Sequence, residues 1–283
     1  MAVSGTLYLV PVPIGNPGDI TLRALETLRR VGLVAAEDTR HFATLQRVHG
    51  LKGRALSLHD HNEAGRVPEL VALMVDGTDV AVVSDAGTPV LNDPGYRLVA
   101  AALAAGIAVV SLPGASAITT ALAGSSLPPV PFRFCGFPPR ARLARATFYR
   151  ALASEPATLV LFEAPHRLVA SLRDARAALG DRAACLARNL TKPHERYQRA
   201  TLSTLIADLE GEATVRGEST VVIEGAARAG ARANQSTADP SKAAALLLRE
   251  GAPPRAVVAL LTASFGCSRR AAYRLAHRQG EAE

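Results

Sequence analysis

Short apolar runs alternate with amphipathic stretches through the first half of the chain. Runs at Leu7–Val12, Leu33–Ala36, Ala55–Leu58, Val80–Val83 and Ile107–Leu112, each bounded by turn residues, predict strands. The segments between them read as helices. Asp19–Val31 has Asp19 as its N-cap and Leu22, Leu25, Leu28 and Val31 near one face, and the next two helices stop at Gly50 and Gly77. A short helix, Ile118–Ala123, follows the fifth strand. Strands alternating with helices predict a mostly parallel sheet.

Three prolines in Leu127-Pro128-Pro129-Val130-Pro131 forbid a continuing helix and mark a linker. A second α/β domain is predicted after it. Its strands are Phe132–Phe137, Thr158–Phe162, Ala184–Ala187 and Ser219–Ile223, and its helices lie near Arg142–Ala153, Leu168–Leu179 and Leu202–Leu209. From Ala226 to Pro240 apolar periodicity disappears, which predicts a tether. Three short helices follow, Ser241–Arg249, Arg255–Phe265 and Arg269–Arg278, a unit of helix-turn-helix character. The expected division is therefore 1–126, 127–225, a linker at 226–240, and 241–283.

Apolar residues make up 48 % of 283 positions, enough for more than one full core. The formal charge is +7, and residues 226–283 hold nine basic and four acidic side chains, so the last fifth of the chain carries +5 of it. This asymmetry suits a polyanionic partner. Cys135, Cys185 and Cys267 lie far apart without a C-x-x-C pair, which encodes neither a disulfide framework nor a zinc site. The N-terminus lacks the basic and apolar regions of a signal peptide. The apolar stretch Val99–Leu112 is shorter than the ~20 residues of a membrane span. A soluble, cytoplasmic protein that needs no metal and makes no membrane contact is expected.

Polar and small residues gather where predicted strands end. Gly15-Asn16-Pro17-Gly18 follows the first, Glu37-Asp38-Thr39-Arg40 the second, Ser84-Asp85-Ala86-Gly87-Thr88-Pro89 the fourth and Pro113-Gly114-Ala115-Ser116-Ala117 the fifth. Strand ends of this composition are where open α/β sheets bind ligands. The first loop lacks G-x-G-x-x-G spacing, which argues against a dinucleotide enzyme. Taken alone, each loop also has a steric or capping explanation: Asp85 as a turn or N-cap residue, and Glu37–Arg40 as a capped helix start with an ion pair.

Together the loops resemble those of the tetrapyrrole-methylase-like superfamily of S-adenosylmethionine (SAM) enzymes. More narrowly, they resemble its ribosomal branch, the small-subunit rRNA methyltransferase I family. The resemblance spans residues 5–225 and implies two consecutive α/β domains with a SAM cleft between them. It further implies 2′-O-methylation of a cytidine in 16S rRNA at the decoding centre, with the 30S subunit as partner and a homodimer as the assembly. Gly15, Asn16, Pro17, Ser84, Asp85, Ala86, Gly87, Thr88, Pro113, Gly114, Ser116 and Ala117 become cofactor-binding candidates by that resemblance. Within the set, Asp85 offers a carboxylate to the SAM ammonium. The Glu37–Arg40 signature is not shared with the porphyrin enzymes and points to rRNA handling.

Methyl transfer to a ribose hydroxyl requires alignment and removal of one proton. Asp38 with Arg40, and Glu163 with His166 in Phe162–Arg167, are the candidate catalytic groups; Glu163 and His166 are open also to capping a helix or pairing with Arg167. Arg188–Glu195 and Arg216-Gly217-Glu218 resemble further family segments. Two departures stand out. Asn189 occupies a position where the family has an acid, and Ala141, between Arg140 and Arg142, one where it has a lysine. The run from Arg133 to Arg150 holds five arginines and no acid, which favours phosphate contact by Arg133, Arg140, Arg142 and Arg145. Arg269, Arg270, Arg274 and Arg278 supply a second basic strip. Trp is absent and aromatics are 4 %, so no stacking platform for free single strands is evident. A porphyrinoid or precorrin methyltransferase, and a non-catalytic ribosome-assembly factor, are the alternatives.

Overall fold

The computed structural model describes residues 4–226 and 239–277. In its first half, β1 (Thr6–Leu9), β2 (Leu33–Ala36), β3 (Arg54–Ser57), β4 (Val80–Val83) and β5 (Ala108–Ser111) alternate with α1 (Leu22–Arg30), α2 (Thr39–His49), α3 (Glu63–Val75) and α4 (Tyr96–Ala104), and α5 (Ala117–Gly124) follows. The five strands form one wholly parallel sheet in the order β3-β2-β4-β1-β5. Leu7, Leu33, Ala35, Val80 and Val82 face one buried cluster, and Val34, Ala36, Ala81 and Val83 face the other. Burial on both faces is why these strands read as continuous apolar runs.

The order in which the chain adds strands reverses between β1 and β4, which run parallel. The connection leaving β1 crosses to β2 on one side, whereas that leaving β4 crosses over β1 to β5 on the other. Such a switch point opens a crevice beyond the carboxyl ends of the two strands. The loops after β1 and β4 both end there, tied by reciprocal main-chain hydrogen bonds between Val12 and Gly87 at 2.9 and 3.0 Å.

The first helix differs from expectation. Asn16, not Asp19, caps a single 3-10 turn at Pro17–Asp19, and Thr21 then caps α1 by accepting from the Ala24 N–H. Leu22 is 79 % exposed. Residues three apart on a helix drift by about 60° per step, so Leu22 and Leu28 cannot share one core face.

The second half comprises β6 (Phe132–Phe134), α6 (Arg142–Ala151), β7 (Thr158–Glu163), α7 (Leu168–Leu179), β8 (Ala183–Arg188), β9 (Arg196–Thr201), α8 (Leu202–Glu210) and β10 (Ser219–Ile223). Its sheet runs β6-β7-β10-β8-β9 and, apart from the β6–β7 pair, is antiparallel. β9 is an unanticipated strand: Arg-Tyr-Gln-Arg-Ala-Thr is too polar to announce itself, which suits an edge. Alternate residues of the central strands serve two cores. Leu159, Leu161, Leu186, Val221 and Ile223 pack toward α6, α7 and α8. Val160, Cys185, Ala187 and Val222 pack on Ile14, Ile118, Ala121 and Leu122 of the first half. The two sheets are thereby joined by a shared apolar layer beside the switch point.

Helices α9 (Pro240–Arg249), α10 (Pro254–Phe265) and α11 (Arg269–Ala276) enclose a small core of Ala244, Val257, Leu261, Ala272 and Ala276. Ser268 caps α11 as its sequence predicts. Most of the tether at 226–240, and Arg278, lie outside the described residues.

Candidate functional site

A cavity of about 390 Å³ lies between the two halves. The loop after β4 supplies Ala86, Gly87 and Thr88, and Ser116 and Ala117 at the start of α5 form an adjoining wall. Ser116 occupies the N-cap of α5, yet its side chain makes no capping bond, leaving helix N–H groups for a ligand. Gly87 adopts φ +80°, a conformation that favours glycine, and so lets this backbone turn under Ile14. The opposite wall is aromatic and acidic, with Phe137, Phe162 and Glu163.

A second cleft, also about 390 Å³, adjoins the first and shares Ile14, Ala86 and Glu218 with it. Gly15, Pro17, Ser84 and Asp85 line it together with His41 and Lys192. Asp85 thus faces this cleft and not the larger cavity, and its carboxylate is engaged by the protein. One oxygen accepts from the Asp38 N–H at 3.1 Å, and the other lies 2.9 Å from His41 Nδ1. The Asp85 N–H in turn donates to Glu37 at 3.1 Å. Burial pushes the Glu37 carboxyl above the usual carboxylate range.

Of the remaining cofactor candidates, Asn16 caps its own turn and donates its N–H to Thr191 Oγ1 at 3.0 Å, a bridge between the two halves. Gly114 is required by packing, since a Cβ there would lie 2.5 Å from Pro11 Cβ; neither it nor Pro113 lines the cavity.

The proposed bases are not equivalent. Asp38 caps α2 and grips Arg40 at 2.5 Å; hydrogen bonds from that arginine hold the carboxyl far below the usual range, which suits a structural anchor better than a proton acceptor. Glu163 lines the cavity, but it accepts from the Ala164 N–H at 2.9 Å and pairs with Arg167 at 3.2 Å. His166 is exposed on the turn that follows and lines neither space.

The sequence also missed wall residues. Leu91, Asn92 and Asp93, between the Ser84–Pro89 loop and α4, line the cavity. Asp93 is pushed up to about 6, first by burial and then by the nearby carboxylate of Glu37. Its only sequence signal was Asn92-Asp93-Pro94-Gly95, a turn motif with no chemistry of its own. Asn189, where an acid was expected by resemblance, turns its side chain onto Gly217 and accepts weakly from the Glu218 N–H at 3.4 Å.

The arginine-rich run is less free than its composition implied. Arg145 is buried and pairs with Asp174 at 2.8 Å, which removes it from any RNA-facing set, and Arg133 pairs with Glu155 at 2.9 Å. Both acids come from outside the run, so counting charges within it could not reveal the pairing. Arg140, Arg142, Arg269, Arg270 and Arg274 are exposed. Among the described residues no group of His, Cys, Asp and Glu is arranged to hold a metal, and no helix is long and apolar enough to cross a membrane.

Comparison with known proteins accords with this architecture. Residues 6–206 match the tetrapyrrole (corrin/porphyrin) methylases. The ribosomal RNA small subunit methyltransferase I of Micromonospora olivasterospora is 53 % identical over 96 % of this chain and 86 % of its own length. The Escherichia coli O157:H7 protein of that name is 43 % identical over 97 % and 96 %. The crystal structure of uroporphyrin-III C-methyltransferase from Thermus thermophilus complexed with S-adenyl homocysteine covers 79 % of this chain and 99 % of its own, with a TM-score of 0.54 and 21 % identity, a likeness of fold.

Proposed function

For a chain that belongs to the tetrapyrrole methylase family and, within it, to the ribosomal RNA small subunit methyltransferase I enzymes, we propose that methylation falls on the 2′-hydroxyl of a 16S rRNA cytidine. The enzyme is SAM-dependent and its substrate is small-subunit rRNA. The observation that carries the site assignment is the pair of adjoining spaces at the switch point: a cofactor-sized cavity beside a second cleft walled by His41, Phe42 and Leu45 of α2 and by Ser84 and Asp85.

The residues of the cavity suit the cofactor. Ser116 and the free N–H groups of α5 would receive the methionine carboxylate, and Phe137, Phe162 and Leu91 give an apolar seat for a base. Glu163 on the acidic wall suits a ligand bearing ammonium and sulfonium charges. When bound, SAM supplies a methyl group already activated for in-line displacement. The protein's remaining work is positioning and proton removal. Asp85 fastens the Asp38 N–H and His41, and Asp38 fastens Arg40, so the start of α2, whose His41 lines the second cleft, is held in place. We assign that cleft to the acceptor nucleotide. Arg140, Arg142 and the exposed arginines of α11 then contact backbone phosphates, as structured RNA is gripped largely through backbone and shape. A homodimer in the cytoplasm belongs to the same reading and is tested by sedimentation.

The deciding experiment incubates the protein with labelled SAM and, separately, 30S subunits, free 16S rRNA and uroporphyrinogen. Label mapping to one ribose 2′-oxygen of 16S rRNA supports the proposal. Label in the porphyrinoid, or on a base carbon of the RNA, overturns it.

A further inference from the structure

We propose that Asp93 accepts the proton of the ribose 2′-hydroxyl during methyl transfer, an inference that rests on the reading of the cavity as the SAM site and the second cleft as the acceptor site.

Position is the first argument. Asp93 lines the cavity, and Ser84, to which its carboxyl is hydrogen-bonded, lines the second cleft. Asp93 and Ser84 therefore form a hydrogen-bonded pair with one member on each space, beside Ala86, which lines both.

Availability is the second. Four carboxylates line the two spaces, and three are occupied: Glu163 by Arg167, Glu218 by Lys192, and Asp85 by His41. Asp93 alone has no ion-pair partner among the described residues. Burial and the carboxylates of Glu37, Asp85 and Asp60 hold it at about 6, close to where a general base works best near neutral pH. Those three reach it from the end of β2, the loop after β4 and the segment before α3, and His41 stands beyond Asp85.

The backbone that presents Asp93 is the third. Val90 and Asn92 have φ of +78° and +67°, strained values for side-chain-bearing residues and especially for a β-branched one. The conformation is held from both sides. Buried Glu63 accepts from the Gly95 and Arg97 N–H groups at 3.0 and 3.1 Å, and Asn92 packs on Gly136 of the second half, where a Cβ would approach its amide to 3.0 Å.

Both protonation states of Asp93 can be satisfied. The Ser84 hydroxyl has one hydrogen and donates it to Ala86 O at 3.2 Å. It can turn that hydrogen to ionised Asp93, or keep it on Ala86 and accept from protonated Asp93. In the step itself the ribose oxygen forms the new C–O bond, and the S–C bond breaks with its electron pair left on sulfur. The hydroxyl proton passes to the Asp93 carboxylate and then to water.

The test compares full-length wild type, Asp93→Asn and Ser84→Ala. S-adenosylhomocysteine and SAM affinities are measured by calorimetry, and single-turnover methylation of 30S subunits at saturating SAM is measured from pH 5 to 8.5. Carboxyl 13C NMR of the free protein follows the resonance that Asp93→Asn removes. We expect that resonance to titrate near 6. In Asp93→Asn, both ligand affinities should stay within about threefold while the rate falls by about 100-fold or more. The wild-type rate should fall tenfold per unit below about pH 6 and the Asn variant's residual rate should not. Ser84→Ala should move the acid limb upward, as expected of a positioning residue. An Asn variant that folds, as judged by retained S-adenosylhomocysteine binding, and keeps the wild-type rate and acid limb would overturn the assignment. So would selective loss of SAM over S-adenosylhomocysteine affinity, which makes Asp93 a counter-ion for the sulfonium. If wild type itself binds no SAM, the underlying reading fails instead.

Discussion

Tyr197 of β9 stands against Gly124 at the end of α5 so closely that a Cβ on the glycine would lie 2.4 Å from the ring. The Tyr197 hydroxyl also donates to Thr120 O at 3.1 Å, and Arg199 Nε donates to Gly124 O at 3.1 Å. An edge strand of one half thus clamps the helix whose other end walls the cavity. Gly124→Ala removes a poor helix former and would be stabilising by up to about 1 kcal/mol in isolation. Here the forced displacement of the ring should outweigh that gain and leave the protein about 1–2 kcal/mol less stable. Urea unfolding with S-adenosylhomocysteine titration checks both stability and the expected weaker binding; unchanged values in both would remove Gly124 from the clamp.

Arg145 and Asp174 form a pair with side chains only 7 % and 17 % exposed. Removing one partner leaves the other charged and poorly solvated, so Arg145→Ala should cost about 3 kcal/mol of stability. Once folded, the variant should bind 30S subunits as wild type does. Arg140→Ala with Arg142→Ala should behave oppositely, keeping stability and weakening RNA binding. A filter-binding series alongside thermal unfolding separates the two behaviours.

The raised titration of Asp93 also links stability to pH. Its ordinary value is 3.8 and its folded value about 6, so between them the folded state holds more protons than the unfolded one. Stability should therefore fall as pH rises from about 4 to about 6 and remain lower above. Asp93→Asn removes the linkage and should stabilise the protein at pH 7.5 by about 1 kcal/mol, less than the ~3 kcal/mol of the full shift because the carboxyl is only partly buried. At pH 4 the two proteins should melt alike. Equal melting at both pH values would mean that Asp93 titrates as an ordinary surface acid.

Deleting residues 230–283 tests the basic C-terminal segment, whose three helices enclose a core of their own. Folding of residues 4–226 and SAM binding should survive. Affinity for 30S subunits should fall, and the slope of log K against log salt should become shallower as phosphate contacts are lost. Wild-type affinity with the same slope would require another role for this charge.

Much of this protein is written locally. Val80–Val83 and Leu33–Ala36 were legible as strands because a sheet covered on both faces demands unbroken apolar runs, and Gly50 and Ser268 were legible as caps because helix ends constrain their neighbours directly. The ligand loops were legible because a backbone that approaches a ligand needs small residues. Which loop faces which space was not. Asp85 and Asp93 are eight positions apart, yet one lines the second cleft and the other the cavity, with positive φ at Val90 and Asn92 in the turn between them. Arg145 read as a phosphate ligand until Asp174, from the next helix, met it. The sequence by itself determined the apolar strands, most helix ends and the chemistry of the loops, since these rest on residues near in the chain, whereas the polar edge strand β9 and the cap of α1 emerged only in the structure. Only the tertiary structure decided which carboxylates are neutralised and which remains available, because a charge is set by what lies within a few ångströms of it, and those neighbours come from strands and helices far apart in the chain.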